Sequence, residues 1–333
     1  MKRFFPILLM IICLCITSCS NKDHKTTLSF YAMDTFMSID AYGENSQAAE
    51  QAKDRVLELE DRLSVTDKNS EIFAINNGLS VNISPDTLNL ICYSLEMSEK
   101  TGGALNPTIY PILLEWGFTT GNYRVPDPQR LSELLENVGA DKVTVNGGSI
   151  SLADGVMLDL GAVAKGYASE ECAKILRESG VKSALINLGG NIRLVGNRPD
   201  GTPWNIGVAD PLGEGYVGIL SLTDCAAVTS GNYQRYFIEN DTVYGHIIDP
   251  ATGFPVDNDL LSVTVIANDG TLCDALSTAL FVMGCEKAEQ YWRDNRDFEA
   301  VFVTKNNTVY VTSGIYQSFT LDESSGSALK IIE

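Results

Sequence analysis

An α+β fold, with mixed sheets and packed helices in place of a doubly wound parallel sheet, is what this 333-residue sequence predicts. Two observations carry the expectation. Runs with strand periodicity and runs with helical periodicity follow one another in no strict alternation, whereas repeated βαβ units would alternate. The strand-like runs are also short and punctuated by glycine pairs, as antiparallel hairpins are.

Residues 27–42 alternate apolar and polar side chains and read as a strand. Residues 46–63 place apolar positions at helical spacing among charges, an amphipathic helix. Ser84 and Pro85 supply an N-cap and a first-turn proline for a helix reaching Lys100, which Thr101-Gly102-Gly103 ends. After Pro107 an apolar stretch runs to Phe118, then a proline-containing loop leads to a short helix over 128–138. Three short strands are expected within 142–158, separated by Gly147-Gly148 and Asp154-Gly155. A helix over 162–179 follows, then strands within 183–195 and 204–222 broken by glycine turns. A strand over 261–267 and helices over 271–283 and 286–295 come next. Residues 298–304 and 308–313 read as a closing hairpin about Asn306-Asn307.

The first 18 residues stand apart. Lys2 and Arg3 precede an apolar run over 4–16 interrupted only by Pro6, a secretory signal too short for a stable membrane span. Ile16-Thr17-Ser18-Cys19 resembles a bacterial lipobox, in which the cysteine is acylated and becomes the first mature residue; a plain signal peptide with a chance cysteine is the alternative. The expected organisation is a signal peptide over 1–18, a lipidated tether over 19–27 and one domain over 28–333. The expected location is the cell envelope, with the chain lipid-anchored to a membrane and facing the extracytoplasmic side.

Charge narrows the partners. The formal net charge of −19 becomes −21 once Lys2 and Arg3 leave with the signal. A surface so acidic repels nucleic acid and anionic lipid, which leaves membrane attachment to the acyl chain. Cys92, Cys172, Cys225, Cys273 and Cys285 remain in the mature part, an odd number without close pairs, so neither a disulfide framework nor a zinc site is expected.

Three stretches carry chemistry. The first is DLGAVAKGYA, residues 159–168. It lacks the Walker spacing and the G-x-G-x-x-G pattern, yet it is a strand-to-helix turn whose free N–H groups and helix dipole favour an anion beside Lys165. A tight turn with a solvated lysine explains it equally well. The second is SGNYQRY, residues 230–236, followed by HIIDPATGFP, residues 246–255, where His246 is a candidate proton carrier. A histidine satisfied by backbone groups is the plainer account. The third is Cys273-Asp274-Ala275-Leu276-Ser277-Thr278, which puts Asp274 and Thr278 one helical turn apart as oxygen ligands of a kind magnesium accepts. The alternative is an acidic residue complementing a helix dipole.

Taken in order, these stretches resemble the ApbE-like flavin transferases, together with Ala32-Met33-Asp34-Thr35, residues 101–108 (TGGALNPT) and Asn187-Leu188-Gly189-Gly190-Asn191. The resemblance covers nearly the whole mature chain. It implies a T-fold-related architecture with an FAD cleft between sub-domains, and a magnesium-dependent transfer of FMN from FAD to a threonine or serine hydroxyl of an acceptor protein, with release of AMP. By the same resemblance Met33, Ala104, Leu105, Asn106, Asp159, Lys165 and Ile248 fall where the family contacts FAD. The Ala162 carbonyl, Asp274, Ser277 and Thr278 fall at metal positions, and His246 and Arg235 are the candidates for activating the hydroxyl and steadying the phosphate. The implied acceptor is a flavoprotein, either a subunit of a membrane redox complex or another exported protein.

Three positions depart from the pattern: Thr66 where many members carry an aromatic residue, Asn106 where aspartate is common, and Ser277 where some have a second carboxylate. Two rival functions use the same residues. One is a magnesium-dependent FAD pyrophosphatase giving FMN and AMP, and the other is a non-enzymatic flavin-binding lipoprotein.

Overall fold

The computed structural model describes residues 24–43 and 46–333, so the signal and Cys19 lie outside the described residues. In chain order the strands and helices are β1 (Lys25–Ala32), β2 (Thr35–Tyr42), α1 (Ser46–Leu63), α2 (Glu71–Asn76), α3 (Pro85–Lys100), α4 (Tyr110–Trp116), α5 (Pro128–Leu135), β3 (Val143–Asn146), β4 (Ser149–Leu152) and α6 (Ala164–Glu178). There follow β5 (Ala184–Leu188), β6 (Asn191–Val195), β7 (Trp204–Ala209), β8 (Tyr216–Leu222), β9 (Ala226–Gly231), β10 (Tyr236–Glu239), β11 (Thr242–Gly245), β12 (Leu260–Ala267), α7 (Gly270–Met283), α8 (Cys285–Asp294), β13 (Glu299–Thr304), β14 (Thr308–Thr312), β15 (Phe319–Leu321) and β16 (Ala328–Ile332). The fold is α+β, as the sequence predicts.

A nine-stranded sheet in the order β1-β2-β5-β6-β9-β12-β13-β14-β16 is the frame. Its pairings are antiparallel except that of β14 with β16. Helices α1, α6 and α7 cover one face, burying Ala49, Ala52 and Val56 against Ala168, Cys172, Cys273 and Leu276. Small side chains let these helices come close. The opposite face is covered by the sheet β15-β8-β7, with Trp204, Val208 and Leu220 packed on Leu194, Val301 and Val311. Both faces of β12 and β13 are therefore buried, which is why their sequences are almost continuously apolar.

A third apolar cluster sits to one side. Trp116 and Phe118, at and beyond the end of α4, pack with Leu131 and Leu134 of α5, with Ile248, and with Phe237 and Tyr244 from the β10–β11 hairpin. The Trp116 indole N–H donates to the Gly253 carbonyl at 2.7 Å, pinning the loop after His246 to this cluster.

Several expectations change. Residues 27–42 form two strands, since Met33 and Asp34 take positive φ (47° and 60°) and turn the chain. A two-residue turn of this handedness fits the strand twist, and it leaves the polar–apolar alternation almost undisturbed, which hides it from sequence. Lys25–Thr27, expected in the tether, belong to β1. Residues 142–158 hold two strands, turning at Gly147-Gly148, while Met157 makes only one bridge, to Ile109. The short helix α2 has no counterpart in the sequence reading, although Ser70 accepts from the Phe73 N–H as its N-cap; six residues give too little periodicity to read. The β13–β14 hairpin forms as predicted but does not close the sheet, because β16 adds outside it.

The five cysteines of the described residues are free thiols, all buried but Cys92.

The crossing of α6 and α7 depends on Gly166. A Cβ there would lie 2.3 Å from the Gly270 carbonyl oxygen and 2.7 Å from the Asp274 Cβ. Gly166→Ala is therefore expected to cost about 1–3 kcal/mol of stability. Chemical denaturation checks this, and an unchanged midpoint would disprove the close-approach argument.

Candidate active site

One cavity of about 840 Å³ opens between the frame and the third cluster, within the range of sites that enclose small ligands. Its wall includes Met33, Ala104, Leu105, Asn106, Asp159, Ala162, Lys165, Arg235, His246, Ile248, Asp274 and Thr278. These come from six separate stretches, so the fold gathers what the sequence scatters. Ser277 is the predicted residue that does not reach the wall. It is fully buried, its hydroxyl 2.8 Å from the Ser230 hydroxyl and donating to the Asp274 carbonyl at 3.0 Å.

The turn before α6 differs from its sequence reading. The Val163 and Ala164 N–H groups donate back to the Leu160 carbonyl, at 3.0 and 2.9 Å. The Gly166 N–H donates to Asp274 Oδ2 at 2.8 Å. Since Val163 provides no side-chain cap, the anion at the head of α6 is a carboxylate delivered from α7. Sequence cannot show this, because the two residues are more than a hundred positions apart.

Burial pushes the Asp274 carboxyl above its ordinary range, opposed by the Lys165 charge, the Gly166 N–H and the nearby Asn191 amide. Asp159 is also raised by burial, opposed by the Gly161 N–H, which donates to it at 2.8 Å, and by Lys165 and Arg235. Lys165 makes no ion pair among the described residues; its ammonium lies 3.5 Å from the Gly161 carbonyl. One cation thus faces two desolvated carboxylates.

His246 stands at the end of β11, half-buried on the cavity wall. Its Nδ1 is 3.1 Å from the Arg235 carbonyl oxygen. A carbonyl only accepts, so Nδ1 carries the proton in the neutral ring and Nε2 keeps a lone pair. Burial, then the charges of Arg235 and Lys165, push its pKa down to about 4. One ring nitrogen is thus held by a backbone carbonyl, as the plainer account expects, while Nε2 is left with a lone pair. Arg235 is anchored by a bond to the Phe118 carbonyl and lies 3.9 Å from Asp34.

The departures from the family pattern have local explanations. Asn106 Oδ1 accepts from the Thr108 N–H and hydroxyl at 3.0 and 2.7 Å, an acceptor role aspartate would share. Thr66 lines the cavity, whose wall also carries the aromatic side chains of Tyr31 and Phe118. Sequence reasoning does not single out Glu60, whose carboxylate accepts from the Met33 N–H at 2.7 Å and secures the turn, and no local pattern marks it. Ser230 opens the SGNYQRY stretch but is given no role there; its hydroxyl lies 3.3 Å from that of Thr278.

A lysine, a neutral histidine, an arginine and a buried carboxylate converging on one deep cavity define an enzyme's substrate pocket. Residues 33–302 match the family model described as the ApbE family, and the chain belongs to that family. Among curated relatives, the FAD:protein FMN transferase of Klebsiella pneumoniae (strain 342) is 33% identical over 82% of this chain and 87% of its own length. That of Treponema pallidum is 36% identical over 67% of this chain, a match spanning 66% of that protein. Among solved structures, the ApbE protein of Thermotoga maritima superposes with a TM-score of 0.83 at 31% identity, covering 89% of this chain and 99% of that one. The flavin transferase ApbE of Vibrio cholerae gives 0.79 at 28%, with the same coverage.

Proposed function

We propose that this chain is an FAD:protein FMN transferase that uses magnesium, moves FMN from FAD to a threonine or serine hydroxyl of an acceptor flavoprotein, and releases AMP. The observation carrying the reading is the convergence of Lys165, His246, Arg235, Asp274 and Thr278 on one cavity wall. Family membership supports flavin transfer, and the residue types on the wall suit the finer reading.

The donor set suits a hard cation. Asp274 offers a carboxylate, Thr278 a hydroxyl and Ala162 a position on the wall, while Asn191 beside Asp274 has an amide without a hydrogen-bond partner. No cluster of three or more His, Cys, Asp or Glu side chains fit to hold a metal exists among the described residues. Few protein ligands, with water and phosphate oxygens completing the shell, is how magnesium is usually held. When bound, it neutralises charge on the pyrophosphate and on the departing AMP.

The protein groups then divide the chemistry. Lys165 and Arg235 hold the phosphates. Nε2 of His246 takes the proton of the attacking hydroxyl, the new O–P bond forms on the FMN side, and the pyrophosphate P–O bond breaks as AMP leaves. Intact mass spectrometry of the acceptor after incubation with FAD and magnesium tests the reading. AMP release without a mass gain on the acceptor would establish the pyrophosphatase in its place, and no AMP at all would leave a carrier.

The same proposal places the chain on a membrane through an acylated Cys19. Cys19→Ser is expected to release the protein into the soluble fraction with its activity intact. Wild-type protein recovered from the cytosol with Met1 in place would refute it.

A further inference from the structure

Two asparagines bracket the Leu188-Gly189-Gly190 turn between β5 and β6. Asn187 has a visible structural role, since its side-chain oxygen accepts from the Gly190 N–H at 2.9 Å and shapes the turn. Asn191 has none. It opens β6, is 1% exposed, and neither its amide nitrogen nor its amide oxygen makes a hydrogen bond. Leaving both atoms of one buried amide unmade is costly, and each such group in a native fold calls for an explanation. Asn191 also lines the cavity and faces Asp274, near enough to favour its ionised form although not in bonding geometry.

We propose that Asn191 is a positioning residue for the cation site, its amide nitrogen orienting Asp274 and its amide oxygen accepting from water carried by the cation. The inference rests on the magnesium reading above. The Gly166 N–H engages Asp274 Oδ2, which leaves the other carboxylate oxygen for the cation. Strand β6 is tied on both sides, to β5 and β9, so the Asn191 backbone is held while its side chain waits for a partner. Groups that orient a metal ligand without touching the metal typically change affinity about 10–100-fold when removed.

The test is a calorimetric titration of magnesium chloride, and separately of FAD without metal, into wild type, Asn191→Leu and Asn191→Ala full-length protein. Melting temperatures are measured without either ligand. Magnesium affinity is expected to fall about 10–100-fold in both variants, with metal-free FAD affinity near wild type. Asn191→Leu should melt no lower than wild type, because it removes two unsatisfied polar atoms. Should Asn191→Leu fail to fold, the smaller Asn191→Ala carries the comparison. Magnesium affinity within twofold of wild type in the folded variants would overturn the role. Absence of magnesium binding by the wild type itself would overturn it together with the metal reading, and is told apart because Asp274→Asn would then also be silent.

Discussion

Asp274→Asn is expected to lower turnover at saturating FAD and magnesium by about a hundred- to a thousandfold, the scale of losing one fixed electrostatic contact to the reacting group. The geometry makes this substitution clean. An asparagine oxygen can still accept from the Gly166 N–H, so the junction of α6 and α7 survives while the charge is lost. Burial already raises this carboxyl's pKa, so its contribution to stability is largest when protonated and falls as pH rises through its titration. The neutral amide imitates the protonated form, and the metal-free variant should melt no lower than wild type at neutral pH. Magnesium should then stabilise wild type increasingly with its concentration, as the logarithm of one plus the ratio of free magnesium to its Kd, and leave the variant unmoved. Asp274→Ala separates the two roles, since it also orphans the Gly166 N–H and removes the cap of α6, at a cost of about 0.5–2 kcal/mol. Thr278→Ala should be milder, because water can replace a neutral hydroxyl. Full turnover of Asp274→Asn at limiting magnesium would remove Asp274 from the reaction.

The double duty of Asp274 shows what the sequence can and cannot display. Its position one turn before Thr278 is a local fact, legible from helical spacing. Its capping of α6 is a contact between distant segments, created by the close approach that Gly166 and Gly270 permit. The DLGAVAKGYA turn does favour an anion, yet its first N–H groups are spent on Leu160 and on Asp274. Lys165, half-buried on the cavity wall, is the positive element we propose for a phosphate. Ser277 is placed off the cavity wall for a related reason: on a helix, the neighbour of a cavity-facing residue is turned away from it, here with its hydroxyl against Ser230. The break at Met33-Asp34 is invisible because the turn keeps strand-like alternation, and the residue securing it, Glu60, lies on another element. Residue types and order are enough for the family and the α+β class. Which oxygen faces which nitrogen is not readable until the elements are packed.

The same limit applies to His246, where the sequence leaves a backbone-satisfied ring and a proton carrier as rivals; the structure holds Nδ1 on a carbonyl, and the base role of Nε2 is the part we propose. His246→Gln is expected to slow FMN transfer about a hundred- to ten-thousandfold, the usual contribution of a positioned general base. Lys165, Asp159 and the Asp274 site are untouched by the change, so FAD affinity should stay near that of wild type. The backbone N–H of residue 246 still donates to the Arg235 carbonyl at 3.0 Å, which keeps β10 and β11 in register. Raised pH should restore part of the rate, because more of the acceptor hydroxyl ionises unaided. The wild-type profile gives an independent reading. With a pKa pushed down to about 4, the ring of the free enzyme is neutral at every pH above that value. The dependence of kcat/KM on pH should therefore lack an acid limb near the ordinary histidine value of about 6.5 and fall only as pH drops toward 4. Bound pyrophosphate brings negative charge against Arg235 and Lys165, the two cations that depress the ring, so the acid limb in kcat should lie higher than that in kcat/KM. If the ring serves only to fix the loop that carries Ile248, FAD affinity will drop in His246→Gln and no pH will rescue transfer. Fluorescence titration of FAD beside acceptor labelling across pH separates the two outcomes.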